Sequence, residues 1–294
     1  STASRLTKEN HTVLVQKNSG EWIGATDDEY TKVGAKVVDG PEEIFRNSDM
    51  IVKVKEPQET EWKMLREDQI IFTYLHLAAD PKQAKGLIDA KCHAIAYETI
   101  TDSKGTLPLL APMSEIAGRL AVFEGAYHLK KTCGGPGSLI SGVPGVKPAK
   151  VIILGGGMVG TSAAQMAIGV GADVTIFDKS IERLRYLNDI FGNSAKVLYS
   201  EPLELKTQLV DADLVVGAVL IPGASAPKLI EKSFLSKMKK NSVLVDVAID
   251  QGGCFETSRP TTHQSPIYYE EDVLHYCVAN MPGSVPKTAS YASN

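Results

Sequence analysis

Residues 149–160 read AKVIILGGGMVG, and this stretch decides the fold of the C-terminal half of the chain. A β-branched apolar run leads directly into three glycines, and a fourth follows at Gly160. The pattern G-x-G-x-x-G between a strand and a helix is typical of a dinucleotide-binding turn, where glycine lets the backbone approach a pyrophosphate and lets the helix pack closely on the strand. The stretch predicts Gly155, Gly157 and Gly160 as cofactor contacts. The alternative is a glycine-rich turn of any doubly wound fold.

The residues after this turn favour NAD over NADP. Asp178 ends the next predicted strand, DVTIFD, roughly 20 residues after Gly157, where an acidic side chain binds the adenosine ribose hydroxyls and repels a 2′-phosphate. Lys179 and Arg183 lie close by in sequence and weaken that repulsion. Thr161 follows the glycines, but the lysine of an NTPase phosphate loop is absent, which argues against an ATPase.

Strand and helix patterns alternate along the whole chain. Apolar, β-rich runs precede residue 110 at 11–16, 35–38, 49–54, 70–75 and 93–98, and they follow residue 148 at 149–155, 173–178, 195–200, 213–220, 241–249 and 274–280. Amphipathic segments separate them. Such alternation predicts an α/β protein with two doubly wound parallel-sheet domains, the second of the Rossmann type.

A long helix and a turn-rich segment lie between the two sets of strands. Ile116, Leu120, Phe123 and Tyr127 recur at helical spacing, and Ser114 is the predicted N-cap. Five glycines and three prolines follow between residues 132 and 148. We expect a first domain over 1–110, a dinucleotide-binding domain over 111–284 that includes the long helix, and a return segment over 285–294.

Composition excludes several classes of protein. With 294 residues, 43% hydrophobic and 22% charged, the chain reads as globular rather than disordered or fibrous. A formal net charge of -4 gives no cationic excess for nucleic acid or an anionic membrane. Residues 151–172 are uncharged, but their six glycines favour strand, turn and buried helix over a membrane span. Four scattered cysteines are read as free thiols in a reducing compartment.

Three polar positions follow predicted parallel strands, at the edge of the sheet where ligands bind. His76 ends IIFTYLH as a candidate acid/base group, and a structural core histidine is the alternative. Lys55 is expected at the terminus of the strand that also carries Lys53, and a solvated loop lysine is equally compatible. Asp246 and Asp250 end NSVLVDVAID, where a capping or turn role competes with a ligand role. The chain carries no metal-binding signature and no serine or cysteine protease pattern.

Taken together, the strings closely resemble the alanine dehydrogenase family. They are IVKVKEP, FTYLHLAA, AYETI, LPLLAPMSEIAGRLA, GAYHL, GVPGVKPA, LGGGMVG, VGAVLIPGA, VDVAIDQGGCFETSRPTTH and YCVANMPGSVPKT, in this order. The resemblance covers nearly the whole chain. The NAD-binding subunit of proton-translocating transhydrogenase is similar too, although DQGGCFETSRPTTH and PMSEIAGR look like the dehydrogenase version.

The resemblance implies reversible, NAD-dependent oxidative deamination of L-alanine to pyruvate and ammonia in a cytoplasmic homo-oligomer, typically a hexamer. It implies that His76 is the acid/base group, that Asp250 acts beside substrate and nicotinamide, and that Lys55 contacts the substrate. The implied cofactor contacts are Met113, Ser114, Gly155, Gly157, Val159, Gly160, Asp178, Arg183, Ser200, Val219, Leu220, Asn280 and Met281. The first domain is then the substrate domain, flavodoxin-like in type.

The two ends depart from the family pattern. Relatives usually begin with a strand and an arginine that clamps the substrate carboxylate, and they continue past the last residues of this sequence with helices that complete the substrate domain. We therefore expect that domain to be incomplete. An NAD-binding protein with impaired turnover and a transhydrogenase-like NAD(H)-binding subunit remain alternatives. The sequence leaves activity toward glycine or glyoxylate open.

Overall fold

The chain folds into two compact units. The computed structural model describes residues 2–219, 221 and 226–293. One unit comprises Ser1–Pro112 together with Val285–Asn294, and the other comprises Met113–Ser284. Parallel strands linked by helices build both units, which confirms the predicted α/β class.

The second unit is built on a seven-stranded sheet. The strands are β6 (Lys150–Leu154), β7 (Asp173–Asp178), β8 (Lys196–Tyr199), β9 (Leu214–Gly217), β10 (Val243–Asp246), β11 (Ile267–Glu270) and β12 (Val273–Tyr276). Their spatial order is β11-β12-β10-β9-β6-β7-β8, with all neighbours parallel except β11 and β12. The chain reverses direction across the sheet after β8, so β6 and β9 flank the point where a dinucleotide binds in such folds.

Helices cover both faces of this sheet. They are α6 (Ala111–His128), α7 (Met158–Gly169), α8 (Ile181–Phe191), α9 (Pro202–Val210) and α10 (Lys232–Leu235). The central strands are buried on both faces: Val151 and Ile153 belong to one apolar cluster, whereas Ile152 and Leu154 belong to the other. Because a strand alternates its side chains between faces, this double burial explains why β6 reads as a continuous apolar run.

Among its described residues, the first unit contains five short parallel strands in two sheets. They are β1 (Leu14–Gln16), β2 (Lys36–Val38), β3 (Met50–Val52), β4 (Ile70–Thr73) and β5 (His93–Ala96). β1 pairs with β2, and the order in the other sheet is β3-β4-β5. The helices are α1 (Thr2–Lys8), α2 (Asp27–Lys32), α3 (Pro41–Asn47), α4 (Glu59–Trp62), α5 (Pro81–Ala90) and α11 (Pro286–Ser293).

Two local predictions were wrong. The long helix begins at Ala111, three residues before the predicted N-cap Ser114, which lies buried inside it. Its predicted apolar stripe is also only half buried: Ile116 faces the core, whereas Phe123 and Tyr127 are 57% and 52% exposed. Small residues form the buried face instead, because a Cβ on Gly118 would lie 2.2 Å from the carbonyl oxygen of Val159 on α7.

The uncharged segment, residues 151–172, mostly lies in β6, the glycine-rich turn and α7. None of the helices among the described residues has the length and apolar character that a membrane span requires. All four cysteines are described, and each is a free thiol.

Candidate functional site

The glycine-rich turn connects β6 to α7. Gly155 has a φ of 97°, in the left-handed region that favours glycine, and its N–H donates to the carbonyl oxygen of Phe177 over 2.8 Å. A Cβ on Gly160 would lie 1.8 Å from the carbonyl oxygen of Gly155. The first glycine thus makes the turn, and Gly160 lets α7 pack against it.

The second glycine of the pattern is different because it faces open space. Gly157 immediately precedes α7, with φ of −65° and ψ of −162°. Apart from its two chain neighbours, no described residue has an atom within 4 Å of the position that its Cβ would take, and no described side chain caps this helix. The first amides of α7 are therefore available to an external anion, with the positive end of the helix dipole behind them.

Asp178 ends β7 beside this turn. Its Oδ2 accepts the N–H of Gly156 over 2.7 Å, and its Oδ1 accepts the N–H of Ser180 over 2.8 Å. The Arg183 side chain donates through Nε to the carbonyl oxygen of Gly156, and its guanidinium lies 4.8 Å from the ring centroid of Tyr186. Both side chains are thus held against the backbone of the turn, so a carboxylate and a cation lie beside it in fixed positions.

The other predicted cofactor contacts lie at several ends of strands and helices. Ser200 follows β8, and its N–H donates to the carbonyl oxygen of Asp178 over 2.9 Å. Val219 follows β9, and its Cγ2 lies 2.9 Å from where a Cβ on Gly155 would be. The remaining ones are Met113 and Ser114 in the first turns of α6, Val159 in the first turn of α7, and Asn280 and Met281 after β12. Leu220 lies outside the described residues.

Asp250 lies just beyond β10, in the 3-10 helix Val247–Gln251. Its Oδ2 is 3.4 Å from the backbone nitrogen of Asn280, which has a left-handed φ of 56°. This contact is long for a hydrogen bond, so the carboxylate keeps most of its acceptor capacity. Gly252 ends the 3-10 helix with a φ of 87°, in the left-handed region that favours glycine.

A buried carboxylate and a surface lysine hold the segment that carries Asp250. Asp246 is fully buried and accepts the N–H of Ala248, the N–H of Cys254 and the hydroxyl of Ser258. Burial raises the pKa of Asp246, and these donors act in the opposite direction. Lys228 donates to the carbonyl oxygens of Gly252 and Gly253. Asp246 therefore has the capping role that the sequence left open.

In the first unit, His76 follows β4 by three residues. It has a left-handed backbone with φ of 48° and ψ of 39°, a conformation that costs about 1 kcal/mol or more for a non-glycine residue. Its ring stacks on Tyr74, with centroids 5.9 Å apart and planes 4° from parallel. The phenol of Tyr74 donates to the carbonyl oxygen of Leu109, and burial raises the pKa of Tyr74 to about 12. A neutral, anchored ring therefore supports the histidine.

The two lysines after β3 have different surroundings. The strand ends at Val52, so both lie beyond it, and the expectation that the strand carries Lys53 was wrong. Lys53 pairs with both carboxylate oxygens of Glu61. Lys55 is 42% exposed, with Nζ 3.0 Å from Oε1 of Glu56, and the hydroxyl of Thr73 on β4 donates to its carbonyl oxygen. Lys55 is therefore the more accessible cation of the two.

Sequence reasoning missed the residues that hold these segments in place. They are Glu98 and Gln83, which contact the backbone next to His76, and Lys228. Glu98 belongs to the string AYETI, but nothing in its local pattern points to a partner more than 20 residues earlier. Among the described residues, no group of three or more His, Cys, Asp or Glu could hold a metal ion.

Comparison with known proteins gives the family. The chain matches the N-terminal domain of alanine dehydrogenase/PNT over residues 1–117 and the C-terminal domain of alanine dehydrogenase/PNT over residues 121–294. It is 52% identical over 290 residues to a protein of Halomonas elongata named alanine dehydrogenase, covering 99% of this chain and 78% of that relative.

Solved structures give the same result. A structure named L-alanine dehydrogenase aligns with a TM-score of 0.91 and 49% identity, covering 100% of this chain and 81% of the other. The transhydrogenase of Sinorhizobium meliloti aligns with a TM-score of 0.82 over 99% of this chain and 84% of the other, but at 23% identity that likeness is one of fold. Both domain matches and the 52% identity lead to one conclusion: this chain belongs to the alanine dehydrogenase/PNT family.

Proposed function

We propose that this protein is an NAD-dependent L-alanine dehydrogenase, which converts L-alanine and water to pyruvate and ammonia in a reversible reaction. The observation that carries the proposal is the geometry of the β6–α7 turn in a chain of this family. Asp178 and the open side of Gly157 there form a cradle for a dinucleotide.

The residues of the second unit fit NAD. The N-terminus of α7 suits the pyrophosphate because its first amides have no capping side chain among the described residues. The Asp178 carboxylate suits the two ribose hydroxyls and disfavours a 2′-phosphate, whereas Arg183 next to it moderates that preference. Met113, Ser114, Val159, Ser200, Val219, Asn280 and Met281 complete the proposed contacts. Leu220, outside the described residues, belongs to the same proposal.

Three side chains carry the proposed chemistry. NAD, when bound, accepts the hydride that leaves Cα of alanine. His76 removes a proton from the water that adds to the resulting iminium carbon and returns it to the nitrogen when the C–N bond of the carbinolamine breaks, while Asp250 accepts the proton of the carbinolamine hydroxyl, so that pyruvate and ammonia leave. The Lys55 ammonium stabilises negative charge on the substrate oxygen. Its neighbour Lys53 is neutralised by Glu61, so it is not part of the proposed site.

The surface of α6 supports a homo-oligomer, which we propose to be a hexamer. Phe123 and Tyr127 lie more than half exposed on this helix, and large aromatic side chains are favoured in interfaces between subunits. If α6 forms an interface, a Phe123→Asp variant should have a lower molar mass than the wild type in light scattering, and an unchanged mass would argue against it.

Free thiols at all four cysteines support a reducing, cytoplasmic location.

The experiment that tests the activity is NADH formation from NAD and L-alanine at mildly alkaline pH. We expect turnover by the wild-type chain and its loss in His76→Ala, with NADH fluorescence still reporting binding. Retained turnover in His76→Ala would remove the proposed role of His76. Absence of turnover in a chain that binds NADH would favour the alternative of an NAD-binding protein with impaired catalysis. Hydride transfer between two nucleotides without alanine would favour the transhydrogenase-like alternative.

A further inference from the structure

The segment between β4 and α5 carries His76 and has an unusual set of backbone hydrogen bonds. The backbone N–H groups of Leu75 and His76 lie beyond the end of β4 at Thr73, and both donate to the side-chain carboxylate of Glu98. Oε1 of Glu98 lies 2.6 Å from the nitrogen of His76 and 3.1 Å from that of Leu75. One carboxylate therefore accepts both of these N–H groups, at the point where the strand–strand hydrogen bonds of β4 have ended.

A second side chain holds the same segment from the other direction. Gln83 on α5 is fully buried and donates through Nε2 to the carbonyl oxygen of Leu75 over 2.7 Å. Leu75 is thus fixed at its N–H and at its carbonyl oxygen. Because these contacts hold both peptide units that flank the Cα of Leu75, the segment has little freedom to change φ or ψ.

The His76 side chain depends on this arrangement. Its left-handed backbone is sparsely populated for a non-glycine residue and persists only where the surroundings determine it. Glu98 Oε1 also lies 4.0 Å from Nδ1 of the ring, and Glu98 is only 14% exposed. That separation is too long for a hydrogen bond, but it puts a carboxylate beside Nδ1 and leaves Nε2 as the ring nitrogen that does not face Glu98.

We infer that Glu98 is a positioning residue for catalysis: its carboxylate sets the left-handed conformation of His76 and thereby directs the imidazole at the substrate. This inference rests on the proposed function, in which His76 is the acid/base group. Glu98 acts through the histidine backbone and contacts neither alanine nor NAD in this account. Loss of the carboxylate should affect the chemical step, because proton transfer depends on placement to within about 1 Å.

The test compares Glu98→Ala with Glu98→Gln. We expect kcat with L-alanine to fall about 10- to 100-fold in Glu98→Ala, with the NADH dissociation constant unchanged within about twofold. Glu98→Gln should recover part of kcat, because its amide oxygen still accepts an N–H at the same reach. Asp102→Ala is the matched control: its carboxylate also accepts two backbone N–H groups in the first unit, from Lys104 and Thr106, without contacting His76. Its kcat should equal that of the wild type.

The outcomes distinguish the positioning role of Glu98 from the proposed acid/base role of His76. Wild-type kcat in Glu98→Ala, alongside an inactive His76→Ala, would overturn the positioning role and leave the proposed function in place. Wild-type kcat in His76→Ala would instead overturn the proposed function at this residue. If Glu98→Ala does not fold, as judged by circular dichroism, Glu98→Gln is compared with Glu98→Met, which has no acceptor oxygen. A lower kcat in Glu98→Met than in Glu98→Gln would support the inference, and equal kcat in both would overturn it.

Discussion

The contrast between two glycines of the β6–α7 turn gives the sharpest prediction about cofactor binding. A methyl group at Gly157 meets no atom of a described residue within 4 Å, whereas one at Gly160 would lie 1.8 Å from a carbonyl oxygen. Gly157→Ala should therefore change the free energy of unfolding by no more than about 1 kcal/mol, the cost of alanine at a helix N-cap. Gly160→Ala should cost about 3 kcal/mol or more, since backbone must move.

For Gly157→Ala, the effect on cofactor binding should be larger than the effect on stability. The new methyl group of Gly157→Ala projects where the pyrophosphate would approach the amides of α7. Displacing one phosphate oxygen weakens a charge-assisted hydrogen bond worth about 1.5–3 kcal/mol, which raises the dissociation constant for NADH about 10- to 100-fold.

Two assays on the same preparations check this prediction. Urea unfolding followed by circular dichroism gives stability, and NADH fluorescence titration gives affinity. Gly169→Ala is the control at the far end of α7, where a Cβ again meets no described atom, and it should bind NADH as the wild type does. Unchanged NADH affinity in Gly157→Ala would refute the reasoning that this open position faces the cofactor.

Three more predictions concern the charged groups of the two units. Asp178→Ala should weaken NADH binding and narrow the preference over NADPH in parallel titrations; an unchanged preference would exclude the ribose role. Lys55→Met should lower kcat/KM for L-alanine about 100-fold, whereas Lys53→Met should lose mainly stability, since Lys53 is paired with Glu61; equal kinetic losses would contradict the assignment. Burial raises the folded-state pKa of Asp246, so the native state binds its proton more tightly than the unfolded state, and wild-type stability relative to Asp246→Asn should rise as pH falls through that raised pKa toward the ordinary aspartate value of 3.8. Urea midpoints at two pH values measure this difference, and a constant difference would argue against it.

Sequence was sufficient for most of the fold of the second unit. The glycine pattern and the acid at the end of β7 are in contact within about 30 residues, and the apolar run of β6 is continuous in the sequence, so local pattern carries all three. β7 has the predicted bounds, Asp173–Asp178, and β6 differs by one residue at each end. The antiparallel edge strand β11 was missed, because IYYE is short and its pairing with β12 depends on the turn between them.

The long helix illustrates a limit of periodicity. Phe123 and Tyr127 fit an apolar stripe with Ile116, yet they lie on the exposed side. Gly118 and Gly125 decide which side is buried, because added Cβ atoms there would meet Val159 and Leu214. A pattern that counts large apolar residues does not detect a face selected for close backbone approach.

The supporting contacts of the candidate site also escaped prediction. Glu98 and His76 are separated by more than 20 residues, as are Lys228 and Gly252. Each pair joins a side chain to a backbone group, so residue type at one end carries no information about the other. Only the three-dimensional structure shows these contacts.

The central claim is that this chain interconverts L-alanine and pyruvate with NAD(H), and the reverse reaction tests it most directly. With NADH and pyruvate, we predict NADH consumption that depends on added ammonium and yields L-alanine in equal amount. NADH consumption without ammonium, or none at all by protein that binds NADH, would contradict the account.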